Sequence, residues 1–205
     1  KYDGINWLNY KTENSGLPDN TINLIYIEND SSIWIGTDYA GITHFNGENW
    51  QSFDQSNSDL VSNKIYSITK DNDDNLWIGT YDGLNVFDPA YNSFIVFKND
   101  PHKKFSIADN FIRTLCKDNN GNIWIGLDGG GIDMFKNTSG IKNGIFNHFR
   151  PDPKKDKSIS TGAVYSIIED SNNHLWIGIE NGGLNILDLK QVEKNRSEFL
   201  KIKYD

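Results

Sequence analysis

The chain has 205 residues, 37% of them hydrophobic and 13% aromatic, with a formal net charge of −8. That is ample for a core of one or two domains. The acidic balance argues against nucleic acid, whose binding rests on Lys and Arg neutralising phosphates, and against anionic membrane surfaces. No apolar run approaches the ~18 residues of a membrane span, and no signal peptide is visible.

In chain order, the first stretch with strand character is "NWLNY", with Trp7 and Tyr10 as a spaced aromatic pair. A longer pattern then begins and recurs. "SIWIGTDYAGITHF" starts at Ser32, "NLWIGTYDGLNVF" at Asn75, "NIWIGLDGGGIDMF" at Asn122 and "HLWIGIENGGLNIL" at His174. The tryptophans Trp34, Trp77, Trp124 and Trp176 are spaced by 43, 47 and 52 residues. Aligned on them, a first strand (strand a) is predicted over Ile22–Ile27, Ile65–Lys70, Ile112–Lys117 and Val164–Glu169. Polar turns follow ("ENDSS", "DNDDN", "DNNGN", "DSNNH"), rich in the Asp and Asn that favour tight hairpins. Strand b carries the tryptophan, a glycine-rich turn comes next, and then strand c ("GITHF", "GLNVF", "GIDMF", "GLNIL"). Strand d repeats the aromatic spacing: Trp50 and Phe53, Phe94 and Phe97, Phe146 and Phe149, then Phe199 with Ile202.

A glycine run beside an apolar strand can cradle a phosphate, but such a loop is needed once and feeds a helix. Here the run recurs in every repeat and no helix follows, so it reads as the b–c turn of a hairpin. Four antiparallel strands per repeat of ~40–50 residues form the blade of a β-propeller. The expected fold is therefore all-β: blades at 17–59, 60–106, 107–158 and 159–205, preceded in 1–16 by the outer strand of another blade. The tryptophans are expected to pack between neighbouring blades. The glycine two residues later (Gly36, Gly79, Gly126, Gly178) is expected to admit a neighbour's backbone or ring. An open, partial propeller is expected rather than a closed four-bladed ring. Its apolar end faces would invite self-association.

The stretch "LPDNTINLIYIENDSSIWIGTDYAGITHF" and its three relatives resemble the two-component regulator propeller repeat. The resemblance covers nearly the whole chain. Departures are local: Gly162 replaces the motif Asn, Leu127 and Ile179 replace the Thr after "WIG", and "TYDG" is one residue short. In that family, propellers of about seven blades stand before an immunoglobulin-like domain, a membrane helix and kinase modules. The resemblance thus implies a periplasmic, ligand-sensing segment of a hybrid two-component sensor, without its kinase.

A meander places the d–a and b–c turns on one face of the disc. Residues that differ between blades at the b–c turns are the ligand candidates: Asp38, Tyr39, Tyr81, Asp82, Asp128, Glu180 and Asn181. Carboxylates, an amide and rings around one face suit an oligosaccharide, whose C–H faces stack on rings while its hydroxyls bond polar groups. A solvated rim of turn residues is the plainer reading of the same positions. Phe111 is a further candidate, or a plug of the central channel. Asp71, Asp118 and Asp170 recur in every later blade and read as turn formers, since the bidentate Glu of a calcium loop is missing. The four histidines fall in different contexts, no zinc spacing appears, and no cofactor is implied. The single cysteine, Cys116, reads as a small core hydrophobe.

Two other functions compete with sensing. A glycosidase would need two carboxylates about 5–9.5 Å apart, and Asp38, Asp82, Asp128 and Glu180 are the available set. A protein-interaction scaffold would instead use connections such as residues 137–158.

Overall fold

The computed structural model describes residues 4–137, 140–194 and 196–202. Among the described residues sixteen strands form four sheets, each a consecutive antiparallel meander. The first holds β1 (Ile22–Asn29), β2 (Ser32–Thr37), β3 (Ile42–Phe45) and β4 (Trp50–Phe53). The second holds β5 (Ile65–Lys70), β6 (Leu76–Thr80), β7 (Gly83–Asp88) and β8 (Ser93–Phe97). The third holds β9 (Ile112–Lys117), β10 (Ile123–Leu127), β11 (Ile132–Lys136) and β12 (Ile145–Phe149). The fourth holds β13 (Val164–Glu169), β14 (His174–Ile179), β15 (Gly183–Asp188) and β16 (Phe199–Ile202). A one-turn helix α1 (Leu189–Val192) joins β15 to β16, capped by the Asp188 side chain on the Lys190 N–H. The stretch 137–158 is not one long connection, because β12 lies inside it.

The strands a (β1, β5, β9, β13) lie innermost and pack on one another from blade to blade. Each tryptophan faces the next blade. Trp34 is buried with Ile65, Ile68, Leu76 and Ile78 of the second blade. Trp77 is buried with Ile112, Leu115, Ile123 and Ile125 of the third, and Trp124 with Val164, Ile167, Leu175 and Ile177 of the fourth. Trp176 meets no further blade among the described residues and is only half-buried. The glycine after each tryptophan behaves as expected. A Cβ on Gly36 or Gly79 would come 2.7 Å from Ile65 or Ile112 of the next blade, and one on Gly126 would come 2.8 Å from Val164. At Gly178 such a Cβ would meet only Ser166 of its own blade.

The arc is open. Ile25 on β1 is 60% exposed, whereas its equivalents Ile68, Leu115 and Ile167 are 9%, 7% and 5% exposed because a preceding blade covers them. The "NWLNY" stretch does not form a full strand: only Trp7 is bridged. Among the described residues the four sheets are complete without it. Tyr10 instead packs on Phe45 and Trp50 of the first blade, with ring centroids 5.7 and 5.6 Å away.

Two sets of polar side chains pin the loops. Asp71, Asp118 and Asp170 each accept from the turn backbone and from the indole Nε1–H six residues on, at 2.9, 2.8 and 2.8 Å. In the first blade Glu28 takes this place, binds Lys70 and Ser32 instead, and leaves the buried Trp34 Nε1 without a partner. On strand c, the fully buried Asn85, Asp133 and Asn185 accept the N–H of Val61, Ala108 and Ser160 at 3.0, 2.8 and 2.9 Å, holding the d–a loops. In the first blade the matching loop residue is Pro18, which has no N–H, and the strand-c residue is Thr43.

Candidate functional site

The d–a and b–c turns do share one face. In every blade a b–c turn N–H donates to the residue just before strand a: Asp38 to Thr21 and Tyr81 to Lys64, both at 3.1 Å, Asp128 to Phe111 at 3.1 Å, and Glu180 to Ala163 at 2.9 Å. Gly41, Gly83, Gly131 and Gly183 close these turns at positive φ, with the carbonyl of the outer strand where a Cβ would stand. The glycines are therefore turn formers.

Each strand a carries a register shift at its second residue, and the skipped residues are Asn23, Tyr66, Arg113 and Tyr165. A bulge re-aims the side chain of the extra residue, and bulges concentrate beside functional sites. Here they turn an asparagine, an arginine and two tyrosines toward the b–c turns. The Asn23 amide donates to Asp38 at 3.1 Å. Arg113 Nε donates to Asp128 at 2.7 Å, with its Nη2 2.5 Å from the same oxygen. The Tyr165 hydroxyl donates to Glu180 at 3.4 Å. In the second blade Phe111 links the pair, with its ring centroid 4.8 Å from Tyr66 and 4.9 Å from Tyr81.

These contacts join into one strip along the inner rim. Asp38 pairs with Lys64 at 3.1 Å, and the Lys64 ammonium lies 5.6 Å from the Tyr66 ring. The Arg113 guanidinium lies 4.0 Å from the Phe111 centroid and 4.9 Å from that of Tyr165. A cation over ring faces gains from their quadrupoles. The Asn23 amide, then Lys64 and Tyr39, hold the Asp38 carboxyl below its usual range, and that carboxylate raises the Tyr39 hydroxyl.

Of the sequence candidates, Asp38, Tyr81, Asp128 and Glu180 occupy equivalent positions and belong to this strip. Tyr39 is exposed beside it, its N–H bound to Asp19. Asp82 points outward to Lys98 at 2.8 Å. Asn181 sits at φ 53, the left-handed conformation that Asn tolerates, so turn geometry accounts for it. Phe111 stacks within the strip rather than plugging a channel. Sequence reasoning missed Asn23, Tyr66, Arg113 and Tyr165. Their signal was present: eleven residues before each tryptophan, an otherwise regular strand changes side-chain type in nearly every blade.

Three of the four histidines are individually engaged. His44 stacks on Trp34, His174 bonds Asp170, and His148 bonds the buried Asp133 at 2.7 Å and the Lys104 carbonyl at 3.0 Å. Both His148 partners are acceptors, so the site suits an imidazolium, and Asp133 above all raises its pKa. Burial, with Asp118 and Glu169 nearby, pushes the Cys116 thiol up to about 11.

Four four-stranded blades around a common inner edge, with turn-borne side chains gathered on one face, define an arc of a β-propeller. The sequence matches the two-component regulator propeller repeat at residues 16–39, 59–82, 106–129 and 158–181, and the chain is built of repeats of that family. No curated protein sequence matches it. Among solved structures it is similar to the extracellular domain of the putative hybrid two component system BT3049 from B. thetaiotaomicron (21% identity, TM-score 0.78, covering 96% of this chain and 26% of that one). It is also similar to PorZ, a bacterial surface component of the type-IX secretion system of Porphyromonas gingivalis (14%, 0.64, 87% and 26%). A third is virginiamycin B lyase from Staphylococcus aureus (15%, 0.65, 90% and 56%). At these identities the likeness establishes the propeller fold. The chain spans about a quarter of the first two structures. Among the described residues no helix is long and apolar enough to cross a membrane.

Proposed function

We propose that this arc is a ligand-sensing, extracytoplasmic segment of a hybrid two-component sensor, and that its b–c face binds a neutral oligosaccharide. The repeat family and the likeness to a sensor extracellular domain support the first part. The single observation that carries the second is the strip of Tyr66, Phe111, Tyr81 and Tyr165 rings interleaved with Asn23, Asp38, Asp128 and Glu180. Rings offer stacking faces for sugar C–H groups, and the polar groups between them offer hydroxyl partners. The charge pattern selects the class. Lys64, Arg113 and Lys98 are each paired with Asp38, Asp128 and Asp82, while Glu180 meets only a phenol. Within the strip a uronic acid would meet cations already paired with carboxylates and would face the Glu180 carboxylate; Arg150, beside the third b–c turn, is held by the Gly130 and Ala108 carbonyls.

Calorimetry with matched neutral and uronic-acid oligosaccharides tests this reading. Binding of a neutral series, weakened about tenfold by Tyr165→Ala or Tyr81→Ala, is expected, since ~1.4 kcal/mol for one lost stacking ring is a factor of ten. Tighter binding of the acidic series would reverse the proposed selectivity.

The lyase likeness raises a catalytic alternative. Glycoside hydrolysis requires a carboxylic acid of raised pKa. Asp38, Asp82 and Asp128 are each paired with a cation and Asp38 is held low, which leaves Glu180 as the one carboxylate of the set outside an ion pair, so we read the face as one that binds without turnover.

A further inference from the structure

The connections from strand c to strand d differ among the blades. In the first two they are the short turns 46–49 and 89–92, whereas in the fourth the chain runs through 189–198 before β16 begins. The first two blades close without such an insertion, so it serves something other than the fold of a blade. It folds back over the third blade. Leu189 is buried with Trp124, Val192 packs on the same cluster with Met134 and Phe149, and Glu193 accepts the Asn120 amide at 3.2 Å. On the opposite wall, the loop before β9 is fixed to β12. The Phe105 carbonyl accepts the Phe146 N–H at 3.1 Å, and the Lys104 carbonyl accepts from His148 Nε2 at 3.0 Å. Between the two walls lies a cavity of about 630 Å³.

The charge of this cavity runs against the −8 of the chain. Lys104, Lys136 and Arg196 line it, all exposed, and among the described residues none of the three is in an ion pair. The acids beside them are engaged: Asp118 is buried on its turn and Trp124, and Glu193 holds Asn120. The apolar floor is Met134 and Val192, both partly buried. The ring faces that a sugar needs are taken. Trp124 and Phe146 are fully buried, Phe149 packs on Trp124 and Phe199, and the Phe105 centroid has the Lys104 ammonium 5.2 Å away. We propose that this groove docks an acidic peptide segment of a partner protein, with one aliphatic side chain seated on Met134 and Val192 and flanking carboxylates meeting Lys104, Lys136 and Arg196. A desolvated aliphatic anchor supplies affinity, and complementary charge supplies specificity and on-rate. The groove shares no residue with the b–c strip, so the proposal stands whether or not that face binds a glycan.

The test is fluorescence anisotropy with a library of fluorescein-labelled heptapeptides, made of Asp and Glu around one central apolar residue. The same peptides with Asn and Gln in place of the acids, and an oligogalacturonate of matched charge, serve as comparisons. Acidic peptides with a central Leu or Ile are expected to bind at micromolar concentration, and their amide counterparts about tenfold more weakly or less. Lys136→Glu and Arg196→Glu, both at exposed positions, are each expected to weaken binding about tenfold with thermal melts unchanged. Lys11→Glu on an exposed loop beside the first blade makes the same change in net charge and is expected to leave binding intact, as is Tyr165→Ala in the b–c strip. No binding by any acidic peptide up to about 1 mM, equal binding of the amide peptides, binding that survives both groove variants, or tighter binding of the oligogalacturonate overturns the proposal.

Discussion

Replacing Asp118 with alanine removes one carboxylate that holds a turn and an indole together. Its Oδ1 accepts the N–H groups of Asn120 and Asn122 at 3.0 and 2.8 Å, and its Oδ2 accepts Asn122 Nδ2 and Trp124 Nε1, both at 2.8 Å. The turn donors lie near the surface and find water again, so each loss costs about 1 kcal/mol. Trp124 is fully buried, and its stranded N–H costs about 1–3 kcal/mol. The sum is ~4–6 kcal/mol, or a fall in Tm of roughly 8–24 °C for a chain of this length. Asp118→Asn keeps the shape but turns an amide N–H₂ toward donors, so it is expected to recover less than half of the loss. Urea unfolding followed by tryptophan fluorescence measures both. A loss below about 1 kcal/mol for Asp118→Ala would refute the reasoning, because it would make the carboxylate an ordinary solvated turn residue.

The His148–Asp133 pair makes a pH prediction. A raised histidine pKa contributes stability that is full below the unfolded value near ~6.5 and is lost as pH rises through the folded value. Wild-type stability is therefore expected to fall across that window relative to His148→Gln, and equal pH profiles in thermal melts would contradict the pairing. Gly79→Ala forces a methyl against Ile112 of the next blade and is expected to cost about 1–3 kcal/mol, against less than 1 kcal/mol for Gly178→Ala, as read by denaturant midpoints. The Cys116 thiol, with its pKa near 11, is expected to resist iodoacetamide at pH 8 in the folded chain and to react on unfolding; rapid labelling of native protein would place it in a different environment.

The blade plan was legible because the repeat is written in residues that packing leaves no freedom to change. Trp77 and Trp124 must fill the space between blades, Gly79 and Gly126 must stay small, and Asp71 and Asp118 must reach an indole six residues away. Three of the predicted inner strands match the observed limits residue for residue, and β1 runs two residues further, to Asn29. The candidate strip was half legible. Variation among b–c turns pointed to Asp38, Tyr81, Asp128 and Glu180, but not to the strand residues that meet them. A bulge has no side-chain signature of its own, and period-two reading assigns Arg113 to a face of the sheet rather than to the rim. Nor does sequence tell that Lys64 pairs with Asp38 of the preceding blade, because that contact is set by how the blades stack.

The most direct test of the account is amide hydrogen exchange on the chain with and without a saturating mixture of neutral oligosaccharides. The account predicts new protection in the b–c turns at 38–41, 81–83, 128–131 and 180–183 and at the bulged residues of β1, β5, β9 and β13. Unchanged exchange, or protection confined to the a–b turns and the c–d connections on the opposite face, would contradict it.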